Sequence, residues 1–296
     1  MRRARPLLGT IVEITIPDDP TISSMARDVA FEKAFTAIAY IQQLMSFHDL
    51  TSDVARINHA RAGQPILVAT ETYHVLHFSR QLSVLSEGAF DITIANILTT
   101  RGFLPRELYP SVPSFKGNYL DLELLDGNSI RWRAKGLIDL GGIAKGYAVD
   151  YALNVLKILG IQNAIINAGG DLACYGAAQH IHVRHPDDPS RLVALGWLSN
   201  AALATSAGYF SNRYSDQPEA NPLVDPIKKN CTLWNQSISI AASSCMIADA
   251  LTKIVRLKSE HEIQPLLNHF DAQAMLINAH TLMRSGRKIL QEEQLV

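Results

Sequence analysis

One segment constrains this chain more than any other: Lys135-Gly136-Leu137-Ile138-Asp139-Leu140-Gly141-Gly142-Ile143-Ala144-Lys145-Gly146-Tyr147-Ala148-Val149-Asp150. Apolar residues run into a glycine pair, then a lysine, then a helical pattern. Glycines let a backbone approach a ligand closely and adopt angles that other residues resist. A helix start offers unpaired N–H groups and the positive end of a dipole. Lys145 adds a full positive charge, and together these parts suit a phosphorylated ligand. Asp139, just before the turn, is placed to organise the loop or to accept from a ligand hydroxyl. The spacing matches neither the Walker phosphate loop nor the dinucleotide fingerprint. A Gly-Gly turn between strand and helix is also an ordinary structural device.

The rest of the composition narrows the partners. The chain has 296 residues, enough to bury a large core in one domain or two. Charge is balanced, 27 Lys+Arg against 28 Asp+Glu, and no basic face or tail is visible. Nucleic acid is therefore not an expected partner. A 47% hydrophobic composition excludes a largely disordered chain. No apolar run reaches the ~20 residues of a membrane helix, so no membrane span is expected. Arg2, Arg3 and Arg5 superficially resemble the start of a signal peptide. The stretch behind them is broken by Gly9, Thr10 and Glu13 and reads as a strand over 7–16. A cytoplasmic location is the expectation. Cys174, Cys231 and Cys245 have no metal spacing and read as buried small hydrophobes in a reduced compartment.

Helices are expected over 21–45, 70–86, 144–159, 246–257 and 260–268, with a short one capped by Ser52 or Asp53. Strands are expected at 119–125 and 128–133, joined around Asp126-Gly127, a hairpin signal. Further strands are expected at 163–167, near 180–185, at 192–198, 201–205, 236–242 and 272–278, and near 283–290. Residues 99–118 read as a long irregular connection. The mixture of hairpins and helices argues for an α+β fold. No linker stands out, so 1–296 is read as a single domain.

Three more small-residue turns accompany the first: Gly169-Gly170-Asp171, Ala204-Thr205-Ser206-Ala207-Gly208, and Ser243-Ser244-Cys245 leading to Asp249. In order and spacing the set resembles the FAD:protein FMN transferases, the ApbE family. Leu8-Gly9-Thr10 is similar to the family's Met-Gly-Thr. Phe47-His48-Asp49 to Asn58 is similar to its Phe-Ser-x-Tyr-Asp segment and the Asn that follows. Gly88-Ala89-Phe90-Asp91-Ile92-Thr93 resembles Gly-Ala-Phe-Asp-Pro-Thr. Residues 139–150 nearly reproduce the family signature. Asn167 to Asp171 fits Asn-x-Gly-Gly-Asp, and Ser243 to Leu251 fits the C-terminal motif.

The resemblance implies a T-fold-like α+β core that binds FAD at a divalent metal, usually Mg2+. It implies transfer of FMN to a threonine or serine hydroxyl of a target flavoprotein, with release of AMP. By the same resemblance Lys145 would stabilise the pyrophosphate, and Asp225 would orient a catalytic or target group. FAD would be held by Leu8, Gly9, Thr10, Gly88, Asp91, Asp139, Gly141, Gly142, Gly169, Gly170, Asp171, Thr205 and Ser206. The metal would take the Ala144 carbonyl, the Asp249 carboxylate and a threonine four residues later. Many relatives are exported, so the resemblance also admits a periplasmic location. Monomer and homodimer both stay open.

Two departures stand out. Four residues after Asp249 is Lys253, not threonine. A protonated lysine ligates nothing. It is expected to pair with Asp249, to place an ammonium near the phosphates and replace some or all of the metal's charge, or to reach solvent. Pro222 stands where the family has a histidine implicated in catalysis, and proline has no side-chain base. His180 and His182 alternate on one expected strand and share a face. These departures keep two other readings open: FAD binding without transfer, and hydrolysis of FAD to FMN and AMP.

Overall fold

The computed structural model describes residues 1–109, 117–188, 190–207, 224–231, 236–278 and 281–291. In chain order the strands are β1 (Arg2–Leu7), β2 (Thr10–Thr15), β3 (Ile66–Leu67), β4 (Leu122–Leu125), β5 (Ser129–Trp132), β6 (Ala164–Ala168), β7 (Asp171–Tyr175), β8 (Gln179–Arg184), β9 (Leu192–Leu198), β10 (Ala201–Ala207), β11 (Val224–Asp225), β12 (Asn230–Cys231), β13 (Ser237–Ala242), β14 (Gln273–Ile277) and β15 (Leu282–Gly286). The helices are α1 (Ser24–Met45), α2 (Asp53–His59), α3 (Thr70–Leu85), α4 (Ala95–Thr100), α5 (Ala144–Ile158), α6 (Cys245–Val255) and α7 (Glu260–His269). The class is α+β, as the sequence led us to expect. The chain divides into two compact units: Met1–Tyr40, Lys145–Arg213 and Trp234–Val296 form one, and Ile41–Ala144 with Tyr214–Leu233 the other.

The first unit is built on an eight-stranded antiparallel sheet, ordered β1-β2-β6-β7-β10-β13-β14-β15. Helix α6 packs on β10 and β13. Nearly all of it is buried, because Met246, Ala250, Leu251, Ile254 and Val255 turn into the core. In α1, Ala30, Phe31, Ala34, Phe35 and Ile38 recur at helical spacing and are buried. A second apolar cluster joins Ile181, Val183, Leu195 and Leu198 of the β8–β9 hairpin to Met275 and Ile277.

Two sequence expectations change here. The first strand is a pair, not a single run over 7–16: β1 and β2 form a hairpin around Leu8 and Gly9, with φ 56° and 69°. Two consecutive positive φ angles make the tight turn that matches strand twist. Likewise Gly169 (φ 66°) and Gly170 (φ 104°) do not end a strand run. They turn β6 back into β7, pairing Ala168 with Asp171.

The second unit holds the small sheet β3-β5-β4 and the β11–β12 pair. Ser52 caps α2 by accepting from the Ala55 N–H at 2.9 Å. The expected irregular connection, 99–118, opens on the last two residues of α4 and holds a single helical turn at Arg106–Leu108. Both are too short to carry a readable period.

Candidate functional site

In the first unit, helix α5 opens with Lys145 and Gly146 and meets α6 almost backbone to backbone. A Cβ on Gly146 would collide with the Cys245 carbonyl oxygen and stand 2.9 Å from Asp249 Cβ. Only glycine permits this approach. It brings the Gly146 N–H to Asp249 Oδ2 at 3.2 Å. One turn further on, the Asp150 carboxylate accepts from the N–H groups of Cys245 and Met246, both at 2.8 Å. A carboxylate thus sits on the N-terminus of α6, where the helix dipole favours negative charge. Burial nevertheless pushes the Asp150 carboxyl up to about 6.

Four charges then gather around α5 and α6. The Lys145 ammonium pairs with Asp171 and stands 3.6 Å from Asp249 Oδ2. Lys253 Nζ donates to Asp249 Oδ1 at 2.6 Å, to the Asp249 carbonyl at 3.1 Å and to Thr252 Oγ1 at 2.8 Å. Both carboxylates are inside, with side chains 5% (Asp171) and 0% (Asp249) exposed. The lysines reach outward at 33% (Lys145) and 22% (Lys253). Buried charges need partners of opposite sign, and here two positive charges meet two negative ones. Burial raises the Asp249 carboxyl, but Lys145 and Lys253 outweigh it and hold it below the usual carboxylate range. Burial and repulsion from Asp249 push the Asp171 carboxyl up. For Lys145, burial opposes the charge, but Asp171 and Asp249 prevail and keep it firmly protonated.

Thr10 and Thr205 meet the glycine turn that leads into Asp171. A Cβ on Gly169 would come within 2.5 Å of Thr10 Oγ1, so β2 and the β6–β7 turn touch at glycine. The open side of Gly170 faces Thr205. Thr205 Oγ1 shares a hydrogen bond of 2.8 Å with Ser239 Oγ, its cross-strand partner on β13. Ser239 was not singled out in the sequence. Ser206, next on the strand, projects from the other sheet face.

The second unit holds the residues before Lys145. Asn58 clasps Ile138, accepting its N–H at 2.7 Å and donating to its carbonyl at 2.9 Å. Asn96 Oδ1 accepts the Leu137 N–H at 2.8 Å. Lys135 donates to the Asn58 carbonyl, and burial lowers its pKa to about 8. The Asp139 N–H donates to Ile92 O at 2.9 Å, and its carboxylate accepts the Gly141 N–H at 3.1 Å. Asp139 therefore organises its own loop, one of the two roles expected of it. Gly142 continues the turn, and the Ala144 N–H closes it on Leu140 O at 2.8 Å. Asp91 accepts from Thr93 and from the Tyr119 N–H at 3.0 Å, and Gly88 faces the Tyr119 ring.

Asp225 is buried. Its Oδ1 accepts from the N–H groups of Ile227 and Lys228, at 2.9 and 3.0 Å, so it caps its own turn. Pro222, Gly208 and Tyr209 lie outside the described residues. His180 and His182 do share a face, with rings 4.3 Å apart, and His180 stacks on Trp197. Cys174 and Cys245 are buried free thiols. No helix among the described residues is long and apolar enough to cross a membrane.

This architecture has known relatives. The ApbE protein of Thermotoga maritima matches with a TM-score of 0.82 at 24% identity, covering 99% of both chains. The flavinyl transferase ApbE of Pseudomonas stutzeri matches at 0.79 and 20% identity, covering 100% of this chain and 97% of its own. At such identities the likeness establishes the fold. In sequence, the FAD:protein FMN transferase of Vibrio cholerae is 26% identical over 263 residues, 83% of this chain and 78% of that protein. Its Escherichia coli counterpart is 23% identical over 266 residues, 82% of this chain and 74% of its own. The model of the ApbE family matches residues 8–277, which include every one of the turns described above, and the chain belongs to that family.

Proposed function

We propose that this chain transfers FMN from FAD to a hydroxyl of a target flavoprotein, a threonine or serine side chain, and releases AMP. One observation carries the reading: Asp171, the residue that follows the Gly169–Gly170 turn, holds Lys145 in its charged form, while Thr10 and Thr205 approach the two glycines of that turn. The hydroxyl oxygen bonds to the FMN-side phosphorus. The bond from that phosphorus to the bridging oxygen breaks, AMP leaves with that oxygen, and the hydroxyl proton passes to solvent or to a base. Negative charge develops on the leaving phosphate. A cation fixed beforehand stabilises that charge without reorganising.

Lys145 is the residue proposed for this electrostatic role. Leu8, Gly9, Thr10, Gly169, Gly170, Asp171 and Thr205 are proposed to line the FAD site in the first unit, and Ser206, whose side chain takes the other sheet face, is proposed there through its backbone alone. Gly88, Asp91, Asp139, Gly141 and Gly142 are proposed for FAD on the family's segments alone. Asp225 is proposed as a positioning residue, acting through the turn it caps.

The family also implies Mg2+ at Ala144 and Asp249. The donor set around Asp249 argues against such an ion. Asp249 Oδ1 faces the Lys253 ammonium at 2.6 Å, and Oδ2 accepts from the Gly146 N–H. The Asp249 carbonyl accepts from Thr252 Oγ1 at 2.7 Å. A hard divalent cation takes about six oxygen ligands and would meet ammonium groups here instead.

The test is a flavinylation assay. Protein, FAD and a peptide carrying an acceptor threonine are incubated, and mass spectrometry follows the peptide while AMP is quantified. The expected result is FMN on the peptide with one AMP per transfer. AMP and free FMN without modified peptide would make the chain a hydrolase. Bound FAD with neither product would make it a flavin-binding protein, given an ApbE transferase that modifies the same peptide.

A further inference from the structure

We infer that the Lys253 ammonium is the resident counter-cation of this site, so that FAD binds without a divalent metal ion. The inference rests on the FAD-binding reading above.

An ammonium carries three N–H donors and no acceptor. All three find oxygen within one helical turn: Asp249 Oδ1, the Asp249 carbonyl and Thr252 Oγ1. Lys253 is thus bound as a metal ion would be, by a carboxylate, a carbonyl and a hydroxyl. The i, i+4 spacing places its stem over the turn that holds Asp249. Lys145 supplies the second positive charge from the other helix, on Asp171 and the far oxygen of Asp249. The carboxylates are therefore neutralised before any ligand arrives. A divalent ion would have to displace Lys253 and then sit beside Lys145. A pyrophosphate, by contrast, meets two ammonium groups that reach further toward solvent than the carboxylates beneath them.

Lys253→Thr tests the other side of this argument. It removes one positive charge and supplies a neutral oxygen at the same position. Asp171 and Asp249 then carry a net charge of −1 against Lys145 alone, and a hard cation gains a place. Lys253→Met removes the charge without supplying an oxygen.

The experiment titrates Mn2+ alone into the full chain and reads free Mn2+ by electron paramagnetic resonance. FAD binding is followed in parallel by flavin fluorescence, with EDTA and with Mg2+. Wild type is expected to leave Mn2+ free and to bind FAD equally under both conditions. Lys253→Thr is expected to bind Mn2+ at least about tenfold more tightly than wild type and than Lys253→Met. Stoichiometric Mn2+ binding by wild type overturns the inference, as does loss of FAD binding in EDTA. So does a folded Lys253→Thr chain that gains no Mn2+ affinity. If that variant fails to fold, the two wild-type measurements decide. Absence of FAD binding with and without Mg2+ overturns the functional reading instead, and the Mn2+ titration still shows whether the carboxylates chelate.

Discussion

Residues 135–142 and residues 145–150 belong to one continuous segment, yet they are held by different means. In the first stretch the side chains that clasp the backbone from other elements are neutral amides, Asn58 on Ile138 and Asn96 on Leu137, while its own charged groups, Lys135 and Asp139, bond only to backbone and make no ion pair among the described residues. The second is fixed by charge: Lys145 on Asp171 and Asp249, and Asp150 on the start of α6. Neutral hydrogen bonds set a backbone position and leave the local potential nearly unchanged. Buried ion pairs set a position and a potential together, at a desolvation cost that only a matched partner offsets. A loop that only needs shape is served by the first method. A lysine that must stay charged is served by the second.

Four measurements test that contrast, from the largest expected effect to the smallest. Lys145→Met leaves two buried carboxylates facing one cation and is expected to cost about 4 kcal/mol of stability. Adding Asp171→Asn should recover a good part of that loss. If urea midpoints show simple additivity instead, the ion-pair account of this half fails. Gly146→Ala forces α5 away from the Cys245 carbonyl and is expected to cost about 3 kcal/mol, read as a lower midpoint at unchanged slope. A midpoint equal to wild type would mean that the helices do not approach this closely.

Asn58→Ala unpairs both the N–H and the carbonyl of Ile138 in a buried setting, at about 2 kcal/mol. Because no charge is involved, the loss should be the same at low and high salt. A salt-dependent loss would erase the contrast between the two halves. The smallest effect is a pH dependence at Asp150. Its folded pKa, about 6, lies above the ordinary aspartate value of 3.8. Folding thus favours the protonated form, and the stability it adds is full below that ordinary value and fades as pH rises through 6. Between pH 7 and pH 5 this group should add about 1 kcal/mol. Melting curves of Asp150→Asn should show that increment missing; an unchanged pH response would place the titrating group elsewhere.

Much of this was legible in the sequence, because motif residues were adjacent or helically spaced. Lys253 falls four residues after Asp249, so their pairing could be written down in advance. The Lys145–Asp171 pair spans 26 residues, and the Asn58–Ile138 clasp spans 80. Nothing local signals either one. Strand β1 was hidden for another reason. Its Arg-Arg-Ala-Arg-Pro-Leu composition has no apolar alternation, and Leu8 seldom takes the positive φ its turn requires. Strand β7 was missed because a Gly-Gly-Asp turn reads equally as an end or as a hinge between strands.

Strand β1 has a consequence beyond the site. Among the described strands it forms one outer margin of the eight-stranded sheet, where an exposed backbone invites another chain to add on. Pro6 supplies no N–H there. Arg3 and Arg5 fold over Phe31 and Phe35 of α1 and pair with Asp28 and Glu32. The same residues that obscure the strand in the sequence make its margin a poor template for aggregation, so the sheet ends where the arginines begin.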